Sequence, residues 1–305
     1  MLIGRNGELK TLRHLLESDR SELAYVYGRL CAGKTSLVRE AFRDQLVFEY
    51  CGFPQGTMTE HLICFYGALQ KWGLYVRNRP ESWMEAFELL KKLIERSPED
   101  KKVIFLDELT WMDPKGRQLL PVLESFWNGW ASRRDDIVLV LCDSTNTWMR
   151  DFACSVTCRM EVRPFTLQES KDFLESRGVF LNSEEIQEVY RMTGGVPLYL
   201  KEDLNKASEA YLKNEFDHLY HFLFNHCRPY TEIVRALAEK KNGCTRSEIS
   251  EKTKIPENGT LTEKLKNLEM CGLIRRYRNE GGAGRYLYQL IDPFSIFVLE
   301  RQMNS

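Results

Sequence analysis

Eight consecutive residues, Gly28 to Thr35, have the types and spacing that bind the phosphates of a nucleotide. Two glycines separated by four residues are followed by Lys and Thr, between an apolar run and an amphipathic stretch. Lys34 is expected to reach the β- and γ-phosphates, and the Thr35 hydroxyl to bind Mg²⁺. A glycine-rich turn without a ligand is the alternative. The predicted nucleotide-binding residues of this segment are Gly28, Arg29, Leu30, Cys31, Ala32, Gly33, Lys34, Thr35 and Ser36.

A pair of carboxylates, Asp107 and Glu108, follows the apolar run Val103–Leu106. Hydrolysis of a nucleoside triphosphate needs a carboxylate to hold Mg²⁺ and a group that aligns the attacking water. We therefore predict Asp107 as a metal ligand beside Thr35, and Glu108 as the catalytic base. An acidic helix cap is the alternative, and the phosphate loop about 70 residues upstream disfavours it.

Two further residues are candidates for contact with the γ-phosphate. The apolar run Ile137–Leu141 leads into polar residues, of which Ser144 and Asn146 could sense the phosphate or could simply satisfy backbone groups. Arg159 is the best candidate for an arginine that neutralises phosphate charge, although a solvated arginine is the simpler interpretation.

Short apolar runs alternate with helical patterns over the first half of the chain, which indicates a parallel sheet covered on both faces. From Thr166 onward the pattern is helical, with predicted helices that include Leu198–Ala210. The predicted strands are Leu23–Tyr27, Gln45–Cys51, Lys102–Leu106 and Ile137–Leu141, and the helix after the loop is Ser36–Gln45.

The last third predicts three helices followed by a hairpin, the pattern of a winged helix-turn-helix. From Arg228 to Leu290 there are 13 Lys and Arg against 8 Asp and Glu, an excess of five positive charges in a chain of net charge −1. Residues 245–286 are therefore a candidate surface for duplex DNA. A protein-binding role fits the same pattern, because acidic residues interrupt the expected reading helix.

Composition narrows the class of protein. The 305 residues are 43% hydrophobic and 29% charged, as in globular domains, and no run approaches the ~20 apolar residues that span a bilayer. Charged residues follow closely after the N-terminus, so we predict no secretory signal there. The nine cysteines lack the spacing of a disulfide-rich domain, which suggests reduced thiols. We expect a cytoplasmic protein with no membrane contact.

Seven motifs in this order resemble the archaeal-type ATPases of the AAA+/STAND group, in the branch common in Bacteroidetes-like bacteria. The resemblance implies a P-loop NTPase fold of α/β class. It places an AAA+ ATPase core in residues 1–164, a helical lid in 165–227 and a winged helix-turn-helix in 228–305. The motifs are Leu2–Leu9, Tyr27–Arg29, Gly33–Thr35, Leu106–Glu108, Phe126–Trp130, Gly194–Pro197 and Tyr288–Phe294.

The resemblance also assigns residues to the nucleotide. It implies that Gly4 and Arg5 lie near the adenine and that the turn ending at Pro197 opens the lid close to the nucleotide. Ser144 matches the family's sensor position, and Arg159 matches a recurrent arginine after that strand.

Three features depart from the family. Leu30 and Cys31 replace two arginines, which backbone phosphate binding should tolerate. Asp143 stands where a glycine is usual, and its charge is expected to hinder turnover more than binding. Relatives commonly continue into a PD-(D/E)xK nuclease-like domain, whereas this sequence stops at Ser305. We therefore expect no nuclease activity from it.

The sequence thus predicts an ATP-binding, Mg²⁺-dependent ATPase that acts as a nucleotide-driven switch. The alternative is a DNA-binding regulator whose nucleotide is structural and turned over slowly or not at all. ATP and ADP are the expected ligands, and a second copy or another protein is a possible partner. No Asn-Lys-x-Asp sequence supports guanine binding. A small-molecule kinase remains open, although the Asp-Glu pair favours water as acceptor.

Overall fold

The structure is a computed structural model, and residues fall into two compact units. Unit 1 comprises residues up to Gly28 and Gly33–Arg163, and unit 2 comprises Arg29–Ala32 and Pro164–Ser305. The described residues are 3–54, 56–113, 117–144, 152, 154–200, 209–224, 227–278 and 286–304. The predicted candidate Asn146 lies outside them.

Unit 1 contains a parallel sheet of five strands within the described ranges, in the order β2-β3-β4-β1-β5. The three central strands, β3, β4 and β1, are almost continuously apolar and buried, which confirms the predicted parallel sheet. The short edge strand β5 was not predicted, because its four residues alternate between buried and exposed. The strands are β1 Glu22–Tyr27, β2 Leu46–Cys51, β3 Lys102–Asp107, β4 Ile137–Asp143 and β5 Cys158–Glu161.

The helices of unit 1 cover the sheet, and a hydrophobic core joins apolar side chains of α3, α4 and α6 to those of the strands. The helix after the phosphate loop starts two residues earlier than predicted, at Lys34, and ends at Ala41. The helices are α1 Asn6–His14, α2 Lys34–Ala41, α3 Met58–Lys71, α4 Trp83–Arg96, α5 Leu109–Met112 and α6 Leu119–Gly129.

Unit 2 is mainly helical. The predicted helix Leu198–Ala210 is not formed at its start, because Pro197–Tyr199 makes one 3₁₀ turn, and residues 201–208 lie outside the described ranges. The helices are α7 Leu167–Glu175, α8 Ser183–Thr193, α9 Glu209–Leu223, α10 Cys227–Ala238, α11 Arg246–Thr253, α12 Gly259–Met270 and α13 Pro293–Asn304.

An antiparallel hairpin follows α12, formed by β6 Ile274–Arg278 and β7 Tyr286–Leu290. A bridge between Cys244 and Tyr288 ties this hairpin to the segment just before α11, and α13 then packs against α8, α9 and α10. The order of three helices and a hairpin is the one expected for a winged helix. The domain limits at 164 and 227 stay predictions.

Among the described residues, no helix has both the length and the apolar character needed to cross a bilayer.

Candidate nucleotide-binding site

The phosphate loop begins with a close backbone approach. Gly28 has φ +148°, and a Cβ on it would lie 2.1 Å from the carbonyl oxygen of Val162, so only glycine fits there. At the other end, Gly33 has φ +92° and caps α2, whose first residue is Lys34. The helix therefore starts with its N–H groups and its lysine at the end of the loop, the arrangement that binds phosphate.

The Lys34 ammonium lies in a buried polar cluster of unit 1. Lys34 is 3% exposed, and its Nζ donates to the Gly28 carbonyl oxygen at 2.9 Å and to Ser144 Oγ at 3.2 Å. Glu108 Oε1 lies 3.6 Å from the same nitrogen. Burial lowers the pKa of Lys34, but the negative charge of Glu108 and neighbouring groups raises it by more. The net pKa is therefore above its ordinary value, and the lysine stays charged.

Ser144 connects the lysine to the predicted catalytic base. Its hydroxyl lies 2.6 and 2.7 Å from the two carboxylate oxygens of Glu108, to which it donates. Glu108 itself has φ +52°, a left-handed conformation that is costly for a residue with a side chain. Burial raises the pKa of Glu108 against the lowering effect of Lys34, which suits a group that takes up a proton.

Asp107 and Thr35 offer oxygen ligands side by side. Thr35 Oγ1 donates to Asp107 Oδ2 at 2.5 Å, and Asp107 Oδ1 accepts the Glu108 backbone N–H at 2.9 Å. Mg²⁺ prefers hard oxygen donors and is usually held by one or two protein groups together with water and phosphate oxygens. The adjacent hydroxyl and carboxylate therefore fit this ion. No group of three or more His, Cys, Asp or Glu suited to a metal occurs among the described residues.

Asp143 ends β4, and its carboxylate is bonded to a backbone N–H and a hydroxyl. It is 1% exposed, accepts the Ser144 backbone N–H at 2.9 Å and accepts a hydrogen bond from Thr110. Burial raises the pKa of Asp143 to about 7, against the lowering effect of Thr110. At pH 7 the carboxyl is thus about half protonated, which weakens the charge repulsion expected from the sequence.

Apart from residues of the phosphate loop, four predicted site residues in the described ranges lie outside this cluster. Arg159 is exposed on edge strand β5, where it pairs with Tyr25 of β1. Both residues lie two positions before the last residue of their strand. Gly4 and Arg5 both have positive φ, and the buried Arg5 guanidinium donates to Glu8 and to the Arg163 carbonyl.

Pro197 begins a 3₁₀ turn in unit 2. Its role and those of Arg159, Gly4 and Arg5 stay predictions.

Thr110 is a polar partner that the sequence interpretation missed, and Asp292 lies in the quoted Tyr288–Phe294 motif but was given no role there. Thr110 follows Asp107 by three residues, a closeness to the strand end that could have suggested a role there. Asp292 accepts a hydrogen bond from Arg29 across 263 positions of sequence, a separation that no local pattern reveals.

Comparisons with known proteins give a domain family for the N-terminal part of the chain. Residues 1–125 match the family described as the AAA ATPase domain. An uncharacterized protein of Methanocaldococcus jannaschii is 23% identical over 294 residues, which cover 90% of this chain and 62% of that protein. The chain therefore spans less than two thirds of that relative's length.

Two solved structures share the fold. The Walker-type ATPase of Pyrococcus abyssi is 18% identical, with a TM-score of 0.58 over 98% of this chain and 96% of its own. The Orc1 protein of Aeropyrum pernix, solved in complex with DNA, is 16% identical, with a TM-score of 0.52 over 99% and 94%. The domain match confirms the AAA ATPase prediction for residues 1–125 and supports the assignment of an ATP hydrolase, whereas the two solved structures show the shared fold.

The raised pKa of Asp143 predicts a pH-dependent stability. Between about pH 4 and pH 7 the folded protein keeps a proton that the unfolded chain releases, so stability falls as the pH rises through this window. The loss can reach about 4 kcal/mol. Asp143→Asn should remove this part of the slope, measured by urea unfolding at pH 5, 6, 7 and 8. Equal slopes in the two proteins would contradict the assignment.

Proposed function

We propose that this chain is a Mg²⁺-dependent ATPase that works as a nucleotide-driven switch of the archaeal-type AAA+/STAND kind. The supporting observation is the hydrogen-bonded series from Lys34 through Ser144 to Glu108, next to the Thr35–Asp107 pair. In this proposal residues 1–164 form the ATPase core, 165–227 the lid and 228–305 a winged helix.

Phosphate binding would exchange the partners of Lys34. Its ammonium is bonded to a carbonyl and a hydroxyl, and the phosphate oxygens of ATP are stronger acceptors for a charged donor. The loop N–H groups would hold the β-phosphate while Lys34 reaches toward the γ-phosphate. Once Lys34 no longer donates to the Ser144 hydroxyl, that hydroxyl could contact the phosphate instead.

Glu108 would then act as the base. Its carboxylate accepts from Ser144, which fixes its direction, and its raised pKa favours uptake of the proton of the attacking water. Mg²⁺, when bound beside Thr35 and Asp107, supplies neutralisation of phosphate charge. Asp107 orients Glu108 by accepting its backbone N–H.

Two substitutions separate binding from hydrolysis. Lys34→Ala should weaken ATP binding at least about tenfold, because a charge-assisted contact is lost. Glu108→Gln should retain binding and lower turnover at least about 100-fold, because the amide cannot accept the proton. Affinity is measured by titration calorimetry and turnover by phosphate release.

Matched controls are Lys92→Ala and Glu95→Gln, both at exposed positions of α4. They should leave affinity and turnover unchanged. Wild-type turnover no faster than that of Glu108→Gln would contradict the enzymatic proposal.

A DNA-binding role is the second candidate, and the β6–β7 hairpin favours it. Three arginines of β6 are exposed, at positions 275, 276 and 278. The guanidinium carbons of Arg276 and Arg278 lie 4.8 and 5.5 Å from the ring centroid of Tyr286. An aromatic ring flanked by two cations at an exposed hairpin is suited to phosphate and sugar contacts. Lys264 and Lys266 on α12 add positive charge, although the Lys264 ammonium lies 4.7 Å from the Tyr230 ring.

Replacing the three β6 arginines together tests this second role. Arg275→Ala, Arg276→Ala and Arg278→Ala should lower affinity for duplex DNA and reduce the salt slope by up to about three. Fluorescence anisotropy over a salt series measures both. A control triple at exposed positions of unit 1, Arg77→Ala, Arg79→Ala and Lys92→Ala, should bind as the wild type does. Unchanged affinity in the β6 triple would exclude this surface.

A further inference from the structure

Asp292 is a fully buried carboxylate at the start of α13. It is 0% exposed, and its Oδ2 accepts the Ser295 backbone N–H at 2.7 Å, which caps the helix. Its Oδ1 accepts from Arg29 and from the Tyr199 hydroxyl, the latter at 3.3 Å. Each carboxylate oxygen thus has a partner, and the partners come from three separate segments of unit 2.

Arg29 is the first residue of Arg29–Ala32, which we call the crest of the phosphate loop, and it forms the ion pair with Asp292. Its side chain is 17% exposed, and its guanidinium carbon lies 5.9 Å from the Tyr199 ring centroid. Residues Arg29–Ala32 cluster with Pro164–Ser305, although they stand between Gly28 and Gly33 in the sequence. The crest is thus attached at its first residue to the segment that contains α13.

The backbone of the crest is held in one shape. The Ala32 N–H donates to the Arg29 carbonyl at 3.2 Å, and Cys31 has φ +64°, a left-handed conformation. Backbone N–H groups of such a loop point at phosphate oxygens only in a defined conformation. Arg29 is at one end of this turn, so its side-chain anchor bears on how the N–H groups are directed.

An unpaired charge at this buried position is strongly unfavourable, which makes the pair an all-or-none contact. Neither residue is required by the hydrolytic chemistry of Glu108, yet each is tied to the other element through the pair. Two elements joined through such a contact can influence one another in both directions, because coupling between binding and conformation is reciprocal.

We propose that Asp292 is a positioning residue for the phosphate loop, and that through Arg29 it couples ATP binding to the conformation of Pro293–Asn304. The inference rests on the proposed ATPase function and adds to it a defined contact between the loop and α13. Mg-ATP bound to the loop changes the environment of α13, and release of the pair loosens the loop.

The affinity test uses Arg29→Gln and Asp292→Asn in the full chain. Each should weaken Mg-ATP binding about tenfold. In Asp292→Asn, which lies outside the predicted binding residues, the rate at saturating ATP should change less than about threefold, since Glu108 is untouched. Titration calorimetry and phosphate release measure the two effects. The double variant should bind no more weakly than Arg29→Gln alone, because both changes break the same contact. Additive losses would overturn the proposal.

The coupling test uses hydrogen exchange of residues 293–304. In the wild type, Mg-ATP should change the protection of this segment, and in Arg29→Gln the change should vanish. Arg29→Lys, which keeps the charge and a single donor, should restore most of it. If Asp292→Asn does not fold, the less buried Arg29 variants carry both measurements.

A matched control breaks a different ion pair. Asp136 in unit 1 accepts from Lys102 at 2.8 Å and Arg134 at 2.6 Å, so Asp136→Asn removes a paired carboxylate far from the loop in sequence. It should keep wild-type affinity and the exchange response. A wild type that fails to bind Mg-ATP refutes the proposed function. A wild type that binds, with Arg29→Gln equal to it in affinity and response, refutes the coupling alone.

Discussion

The burial of one ammonium group, that of Lys34, constrains the whole candidate site. A charge that is 3% exposed must find acceptors, and it finds the Gly28 carbonyl, the Ser144 hydroxyl and the Glu108 carboxylate. These come from the loop after β1 and from the ends of β4 and β3. The lysine thereby fixes three strand ends relative to one another, and the same acceptors are those that phosphate oxygens can replace.

The parallel sheet makes that convergence possible. Strands β3, β4 and β1 are neighbours, and Tyr27 pairs in register with Asp143, so the residues that follow each strand meet at one edge. Asp107 and Asp143 each accept the backbone N–H of the following residue, and this fixes Glu108 and Ser144 in direction. The ends of β3 and β4 thus bring the Glu108 carboxylate and the Ser144 hydroxyl together beside the Lys34 ammonium.

The central strands and the loop were predictable because they depend on local sequence: continuous apolar runs, two glycines and a Lys-Thr pair. Strand β5 was missed because an alternating edge strand of four residues carries little signal. The state of Asp143 was also beyond prediction, since burial raises its pKa against the lowering effect of a hydrogen bond from Thr110, and both come from tertiary contacts. The pair between Arg29 and Asp292 depends on tertiary contact across most of the chain.

The magnesium dependence of ATP binding tests the central claim most directly. Titration of ATP into the wild type with MgCl₂ and with EDTA should show binding at least about tenfold tighter with the ion, since Thr35 and Asp107 would complete its ligand shell. Thr35→Ala should lose that difference. Thr11→Ala, which removes an exposed hydroxyl that donates to the Gly7 carbonyl at 3.0 Å, should keep it. Equal magnesium dependence in Thr35→Ala and the wild type would contradict the account.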